Sequence, residues 1–334
     1  MRLRVAVVYT VVEANHHNRT ANPHGAKQLN KTNVALKEAI EDLGYEAHMI
    51  PGDFDLLRKL DQANPDVVFN NCTGINDKSS QPQVAGMLEL SKFPFTGSGQ
   101  VANVLALYKP LTKKVLLFHN VSTPIFEVVS KIGEPMPTNI SYPLIVKPEH
   151  EGSSIGISAK SVVNSPQELK EVVEEVLTNF RQPALIEEFI SGREFTVGVL
   201  GGDQPRILPP VEILFDVGSC FYSQAVKSQD GVQTKCPADI EPQLLKSIEE
   251  TVLKAFKVLE CRDYARIDVR LDADHIPYVI DVNTLPGLEP GYSDYPKAAK
   301  AAGIEFKELV AHLLNSALSR RSYFCVGARH AVPF

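Results

Sequence analysis

Two neighbouring apolar stretches in the last third of the chain carry acidic residues at spacings that restrict the fold. Asp268 follows one apolar run, and Asp281 ends another, with Asn283 two positions further on. Because side chains alternate along a strand, Asp281 and Asn283 share one face, and two neighbouring strands bring Asp268 to the same spot. Such an all-oxygen set suits Mg²⁺ beside phosphates, and Arg266 adds a positive charge. A surface hairpin with ordinary acidic residues is the competing interpretation.

Length and composition describe a large globular protein. The chain has 334 residues and 44% hydrophobic content, enough for two or more domains. A net charge of −6 without a dense basic block argues against a nucleic-acid partner. The chain has no apolar run of about 18 residues and no signal-peptide core, so no membrane partner is expected. Scattered cysteines without CxxC spacing fit a reducing compartment and predict a cytoplasmic location.

Alternating strand and helix patterns predict an α/β fold. Strands at 4–9, 47–50 and 66–70 and a helix at 30–43 give the βαβ order of a parallel sheet covered by helices. Further predicted elements are helices at 83–90, 167–180 and 242–259 and strands at 93–95, 142–147, 184–190 and 194–200. The predicted domains are 1–100, 101–190 and 191–320, with a mobile loop at 216–235 and a tail at 321–334.

A Gly/Ser-rich turn follows a strand that ends in a lysine. Lys147 closes the strand, and Ser153 and Ser154 lie between the two glycines of loop 151–156. Small residues let backbone N–H groups approach an anion, hydroxyls add donors, and the lysine adds charge. The lysine precedes the glycines, so this is neither GxxxxGK[ST] nor GxGxxG. A plain surface turn explains this segment equally well on its own.

Residues 185–197 form a strand that runs into a linker, which offers free backbone groups to a flat heterocycle. Adenine recognition needs such an edge, with a donor for a ring nitrogen and an acceptor for the amino group. Glu187 can accept from that amino group, and Glu194 can accept from ribose hydroxyls. The competing interpretation is a solvent-facing strand with ordinary glutamates.

Taken in order, these segments resemble the ATP-grasp superfamily and, within it, the D-alanine–D-alanine ligase group. The similarity runs from about residue 93 to 310. It is closest at 94–99, 146–148, 151–156, 191–197, 265–269 and 281–287. The resemblance implies three lobes: an N-terminal parallel-sheet α/β domain, a small central α+β lobe and a C-terminal α+β lobe. ATP would lie between the last two.

The resemblance also implies cofactors and site residues. It implies ATP and two Mg²⁺ ions, which Mn²⁺ can replace. In the implied reaction ATP activates an oxygen of one substrate, and an amine of the second substrate then displaces phosphate. The implied ATP contacts are Lys109, Lys147, Ser153, Ser154 and Lys227, with adenosine at Glu187, Glu194 and the main chain of Glu188, Phe189 and Ile190. The implied metal ligands are Asp268, Asp281 and Asn283, where Asp281 replaces the family's longer glutamate. Arg266 and Ser153 would act in catalysis, on the transferring phosphoryl group.

The segments for the first substrate depart from the family pattern. Glu13 is displaced from the family's glutamate, Asn71 lies where a His-Gly pair is usual, and the loop around Lys227 lacks a tyrosine. The usual contact with the amine of D-alanine therefore cannot form, and we expect a different first substrate. The loop before Ser293 is better kept and predicts a free amino acid as second substrate. Ligases that attach amino acids to a mycosporine core fit this description.

Three other functions stay open at this point. The first is a true D-alanine–D-alanine ligase of cell-wall synthesis. The second is an ATP-grasp small-molecule kinase, against which the retained Ser293 loop argues because a kinase needs no amine acceptor. The third is a nucleotide-binding regulator, against which the complete set of cationic and metal-binding residues argues. The oligomeric state is open as well, although the family is often homodimeric.

Overall fold

The computed structural model describes residues 2–11, 23–75, 78–150, 156–202, 204–215 and 233–320. Within these ranges no helix combines the length and hydrophobicity needed to cross a membrane. Several predictions lie outside the described residues: those at Glu13, Ser153, Ser154 and Lys227, most of the predicted loop, and the tail 321–334.

A parallel three-stranded sheet forms the N-terminal part. Its strands are β1 (Arg4–Thr10), β2 (Glu46–Gly52) and β3 (Val67–Asn71), in the order β2-β1-β3, with helices α1 (Pro23–Asp42), α2 (Leu56–Ala63) and α3 (Gln81–Ser91). Residues 5–8 of β1 are fully buried, as expected for a parallel strand with helices on both faces. The predicted βαβ arrangement is confirmed.

An antiparallel four-stranded sheet forms the central part. Its strands are β4 (Phe126–Val129), β5 (Leu144–Pro148), β6 (Val162–Val163) and β7 (Ala184–Glu188), in the order β4-β7-β5-β6. Helix α6 (Pro166–Asn179) covers one face and buries Leu169, Val173 and Val176 there. Ser165 caps this helix by accepting a hydrogen bond from the Glu168 amide at 3.3 Å, and Pro166 takes the first helical position.

A six-stranded antiparallel sheet forms the C-terminal part. Its strands are β8 (Glu194–Leu200), β9 (Arg206–Ile207), β10 (Val211–Leu214), β11 (Gln233–Lys235), β12 (Tyr264–Leu271) and β13 (Pro277–Asn283), in the order β11-β10-β8-β12-β13 with β9 on β8. Helix α7 (Pro242–Val258) packs on this sheet through Ile248, Val252 and Phe256. The strands β12 and β13 carry the acidic residues of the predicted metal site.

Helices from other segments join the three sheets. Helices α4 (Gln100–Leu107) and α5 (Lys109–Phe118) follow the first sheet in sequence, yet they place Ala106 and Leu116 in the core of the six-stranded sheet. Helices α8 (Asp294–Ala301) and α9 (Phe306–Ser319) return to the first sheet, where Leu313 shares a core with Val5. The domain boundaries at 100 and 190 stay a prediction.

Some elements differ from the sequence prediction. Helix α1 begins at Pro23 instead of residue 30, because its polar first part has no apolar periodicity to reveal it. Of the predicted strand at 93–95, only Phe95 pairs, through a single bridge to Val68. The predicted loop 216–235 ends in a short strand, β11, which pairs with β10.

Candidate active site

The hairpin of β12 and β13 brings the four predicted residues together. Asp268 lies opposite Asp281, and Arg266 lies opposite Asn283. The register then shifts, because Val269 pairs with Val279 and one residue of β13 is left over. Bulges of this kind re-aim side chains next to functional sites. The prediction that these residues share one face of two adjacent strands is confirmed by the register.

The Asp268 carboxylate is held from three sides. Arg266 donates to it twice, from Nε to Oδ1 and from Nη2 to Oδ2, both at 2.9 Å. The Thr196 hydroxyl donates to Oδ1, and Asn283 Nδ2 lies 3.4 Å from Oδ2. Burial disfavours the charged form of Arg266, but Asp268 outweighs that effect and raises the pKa of the guanidinium above its usual value. Arg266 therefore keeps its positive charge at any working pH.

Lys109 adds a second cation to the site from helix α5. It is the first residue of that helix, and its side chain is 9% exposed. Its ammonium lies 3.8 Å from Asp281 Oδ1, which also accepts a hydrogen bond from the Val282 amide at 3.1 Å. The predicted phosphate-binding lysine and the predicted metal ligand are therefore neighbours.

The chemistry of these donors fits Mg²⁺. Among the described residues no three His, Cys, Asp or Glu side chains cluster as a metal site. A metal ion here would use the carboxylates of Asp268 and Asp281, the amide oxygen of Asn283, and oxygens of a phosphate ligand, which is the usual composition of a Mg²⁺ site. A carboxylate has about four lone-pair positions, and contacts from Arg266, Thr196 and Asn283 use four at Asp268, so a metal ion there would replace the long Asn283 contact while Arg266 remains attached.

A buried cluster of one glutamate and two lysines lies on the central sheet. Glu187 in β7 is 1% exposed, and its Oε2 lies 2.7 Å from the ammonium of Lys147 at the end of β5. Its Oε1 lies 3.0 Å from the ammonium of Lys113 in α5. Burial favours the neutral acid, but the two lysines outweigh it and hold the pKa of Glu187 below its usual value. The predicted adenosine contact Glu187 and the predicted phosphate contact Lys147 thus form one ion-pair cluster.

Sequence reasoning did not assign Lys113 to the site. One signal was present, because Lys109 and Lys113 are four residues apart and therefore lie on the same face of a helix. Burial lowers the pKa of Lys113 to about 8, although Glu187 acts in the opposite direction. The side chain is 2% exposed, which is rare for a lysine and requires its partners.

The linker after β7 has part of its backbone already engaged. The amide of Glu188 donates to the Ile125 carbonyl, and the amide of Phe189 donates to the Pro143 carbonyl, each at 3.0 Å. A heterocycle bound at 188–190 would therefore use the carbonyl groups or the Ile190 amide. The contact between adenine and the main chain of 188–190 stays a prediction, and the groups available for it are the carbonyls and the Ile190 amide.

Glu194 begins β8 beside Arg270. The Glu194 Oε2 atom lies 3.5 Å from Arg270 Nη1, and the Arg270 guanidinium covers the Phe189 ring at 4.8 Å from its centroid. Burial raises the pKa of Glu194 to about 7, although Arg270 acts in the opposite direction. This carboxyl group therefore changes charge near neutral pH.

The raised pKa of Glu194 predicts a pH-dependent stability. A folded-state pKa of about 7, against an ordinary 4.5, means that the folded protein binds this proton more tightly than the unfolded chain does. The stabilisation is complete below the ordinary pKa and is lost as the pH rises through the folded-state pKa. We expect wild type to lose on the order of 2 kcal/mol of unfolding free energy, relative to Glu194→Gln, across that interval. Denaturant unfolding at a series of pH values measures this difference.

The control for Glu194 is Glu175→Gln, which changes an exposed glutamate of helix α6. Its curve of unfolding free energy against pH should run parallel to that of wild type. A Glu194→Gln curve that is also parallel to wild type would show that Glu194 titrates normally.

Ser293 lies at the start of helix α8, where its hydroxyl accepts a hydrogen bond from the Glu289 amide at 3.2 Å. The Glu289 side chain turns away to helix α1, where its Oε1 lies 3.0 Å from the Lys31 ammonium. Its Oε2 is buried and accepts no hydrogen bond from the described residues. At the end of β3, the side-chain nitrogen Nδ2 of Asn71 donates to Asn33 Oδ1 at 2.8 Å. The predicted substrate residue Ser293 thus belongs to a polar region between α1 and α8.

Comparisons with known proteins identify the family. The family described as D-ala D-ala ligase C-terminus matches residues 118–315. The D-alanine–D-alanine ligase of Bordetella petrii is 36% identical over 84% of this chain and 85% of that protein. That of Syntrophotalea carbinolica is 37% identical over 87% of this chain and 92% of that protein.

A solved structure supports the fold. The crystal structure of D-alanine–D-alanine ligase from Bacillus anthracis complexed with ATP has a TM-score of 0.75 and covers 96% of this chain and 99% of that chain. At 24% identity this similarity supports the fold alone. The predicted ATP-grasp architecture is confirmed. With the hairpin of acidic residues in place and two relatives above 30% identity, the chain belongs to the D-alanine–D-alanine ligase family of ATP-dependent ligases.

Proposed function

We propose that this chain forms a peptide bond between two D-alanine molecules, with ATP and Mg²⁺ as cofactors. The observation that carries the proposal is the hairpin site, where Asp268 and Asp281 face each other beside the cations Arg266 and Lys109. The relatives named above are D-alanine–D-alanine ligases. They favour D-alanine as the first substrate, whereas the departures in the sequence led us to expect another compound. Neither relative is named for a mycosporine substrate.

The residues of the site suit the transfer of a phosphoryl group. Bound Mg²⁺–ATP supplies the phosphoryl group that makes a carboxylate reactive toward an amine. Asp268, Asp281 and Asn283 would hold the metal, and Lys109 and Lys147 would neutralise phosphate oxygens. Arg266 stays charged because Asp268 raises its pKa, so it stabilises negative charge that develops during transfer. Thr196 and Arg266 together keep the Asp268 carboxylate in one orientation.

The proposal predicts a measurable product. Purified protein with ATP, Mg²⁺ and D-alanine is expected to release ADP and phosphate and to form D-alanyl-D-alanine in equal amounts. Coupled ADP detection and mass spectrometry measure both products, and EDTA should stop the reaction. L-alanine serves as the matched control substrate. Release of ADP with D-alanine but without dipeptide would contradict the proposal.

A second candidate is a ligase with a different first substrate. Two polar contacts between α1 and the rest of the chain favour it, namely Asn33 with Asn71 and Lys31 with Glu289. The buried Glu289 Oε2, which accepts no hydrogen bond from the described residues, is an acceptor for an additional donor group of such a substrate. A screen of ADP release over D- and L-amino acids, singly and with acceptors of the mycosporine type, separates the candidates. Turnover that requires an acceptor together with an amino acid would favour this one.

A cytoplasmic location and a homodimer stay predictions.

A further inference from the structure

The buried cluster of Glu187, Lys113 and Lys147 contains more positive than negative charge. Two ammonium groups share one carboxylate, and all three side chains are at most 5% exposed. An uncompensated buried charge is costly, so such a cluster favours an anion as an additional partner. A nucleotide phosphate is such an anion, and one of the two lysines can be released to it.

The two lysines differ in how firmly they are held. The Lys113 ammonium donates to the Thr123 hydroxyl at 2.8 Å in addition to contacting Glu187. Thr123 in turn donates to the Val279 carbonyl at 2.8 Å, which anchors this contact to β13, two residues before Asp281. Lys147 is the penultimate residue of β5, and within the described part of the chain its ammonium has Glu187 as its one hydrogen-bond or ion-pair partner. Lys147 is therefore the lysine that can turn toward a phosphate.

The release of Lys147 has a consequence for Glu187. If Lys147 were the only cation beside it, its departure would leave a buried carboxylate without a counter-ion, at a cost of several kcal/mol. Lys113 removes this obstacle because it pairs with the other oxygen, Oε1. Glu187 then stays charged, and its Oε2 becomes free to accept a hydrogen bond.

We propose that Lys113 is a positioning residue that keeps Glu187 charged when Lys147 moves to the nucleotide phosphates, so that Glu187 selects adenine over guanine. The inference rests on the proposed use of ATP. A carboxylate accepts from the amino group of adenine and repels the carbonyl oxygen that guanine carries at the same ring position. Lys113 touches neither phosphate nor base in this arrangement, and it acts through Glu187.

The test is the nucleotide preference of Lys113→Met. This change keeps the length of the side chain and removes its charge, so Lys147 remains bound to Glu187. We expect the KM for ATP to rise roughly 10- to 100-fold, as for the loss of a charged hydrogen bond. The ratio of kcat/KM for ATP over GTP should fall about tenfold or more. The matched control is Lys114→Met, which removes an exposed lysine from the same helix and should match wild type.

A double-mutant cycle separates positioning from a purely structural role. In a Glu187→Gln background no buried carboxylate needs Lys113, so Lys113→Met should change the KM for ATP less than threefold. The double variant Lys113→Met/Glu187→Gln removes both charges and keeps the test available if the single variant does not fold.

Three outcomes would overturn the inference. One is a folded Lys113→Met variant whose ratio of kcat/KM for ATP over GTP is unchanged. Another is a rise in the KM for ATP on Lys113→Met that is equal in the wild-type and Glu187→Gln backgrounds. If the single variant does not fold, the third is a double variant whose ATP affinity lies well below that of Glu187→Gln. Titration of wild type with ATP by calorimetry separates this failure from a failure of the proposed function. Wild type that binds no ATP would overturn both, whereas ATP binding that Lys113→Met leaves unchanged overturns the inference alone.

Discussion

Asp268→Asn is expected to lower kcat at least about 1,000-fold while the protein stays folded. The variant keeps the shape of the side chain and an oxygen for Thr196, but it removes the negative charge that a metal ion and Arg266 share. Without that charge, the metal ion has one full carboxylate ligand left in the hairpin, Asp281. Steady-state ADP release at saturating ATP and Mg²⁺ measures the effect.

Asp274→Asn is the matched control for Asp268. It makes the same chemical change in the exposed turn that joins β12 and β13, and it should keep the activity of wild type. Circular dichroism and a thermal melt establish that Asp268→Asn is folded, because the loss of one partner of Arg266 should cost some stability, about 1–3 kcal/mol. Near-normal turnover by folded Asp268→Asn would refute the metal site.

Asp263→Ala should lower the free energy of unfolding by about 3–5 kcal/mol. Asp263 is 1% exposed, and its carboxylate accepts hydrogen bonds from the Gly97 amide and the Ser316 hydroxyl, each at 2.7 Å. Arg320 contacts both carboxylate oxygens and also donates to the Phe95 carbonyl at 2.6 Å. The substitution therefore leaves the Gly97 amide without its acceptor and removes the counter-charge of the partly exposed Arg320 guanidinium.

The backbone at Asp263 adds to the effect. Its φ of 61° is left-handed, a conformation that Asp and Asn adopt more readily than Ala. Denaturant unfolding followed by circular dichroism measures the loss, and Asp61→Ala, in an exposed position of α2, is the control. Asp263→Asn keeps the preference for a left-handed backbone, so its free energy of unfolding should lie between those of wild type and Asp263→Ala. An Asp263→Ala variant as stable as wild type would show that these contacts do not hold the first sheet to β12.

Local patterns made the hairpin site predictable. Alternation along β13 places Asp281 and Asn283 on one face, and the same rule places Arg266 with Asp268 on β12. Antiparallel pairing then aligns the two sets, although the sequence does not reveal the register shift after Asp268. Short-range periodicity is sufficient here because all four residues belong to one hairpin.

The cluster around Glu187 could not be predicted in the same way. Its members come from α5, β5 and β7, which are distant in sequence. The residues next to each member in the sequence do not show that it is buried or which charge it pairs with. Lys113 in particular lies in a helix segment with three lysines, and only packing shows that Lys109 and Lys113 are buried while Lys114 is exposed. The same holds for Asp263, whose partners Gly97 and Ser316 come from the segment between α3 and α4 and from the last helix.

The sequence by itself determined the alternating strands and helices, the acidic hairpin and the family, because each depends on side-chain periodicity or on short ordered motifs. The tertiary structure decided how charges are shared. It showed Asp268 bound by Arg266, Glu187 divided between two lysines, and helices α4 and α5 packed on the six-stranded sheet. The physical reason is that the burial and pairing of a charge depend on groups that the fold brings together from distant segments.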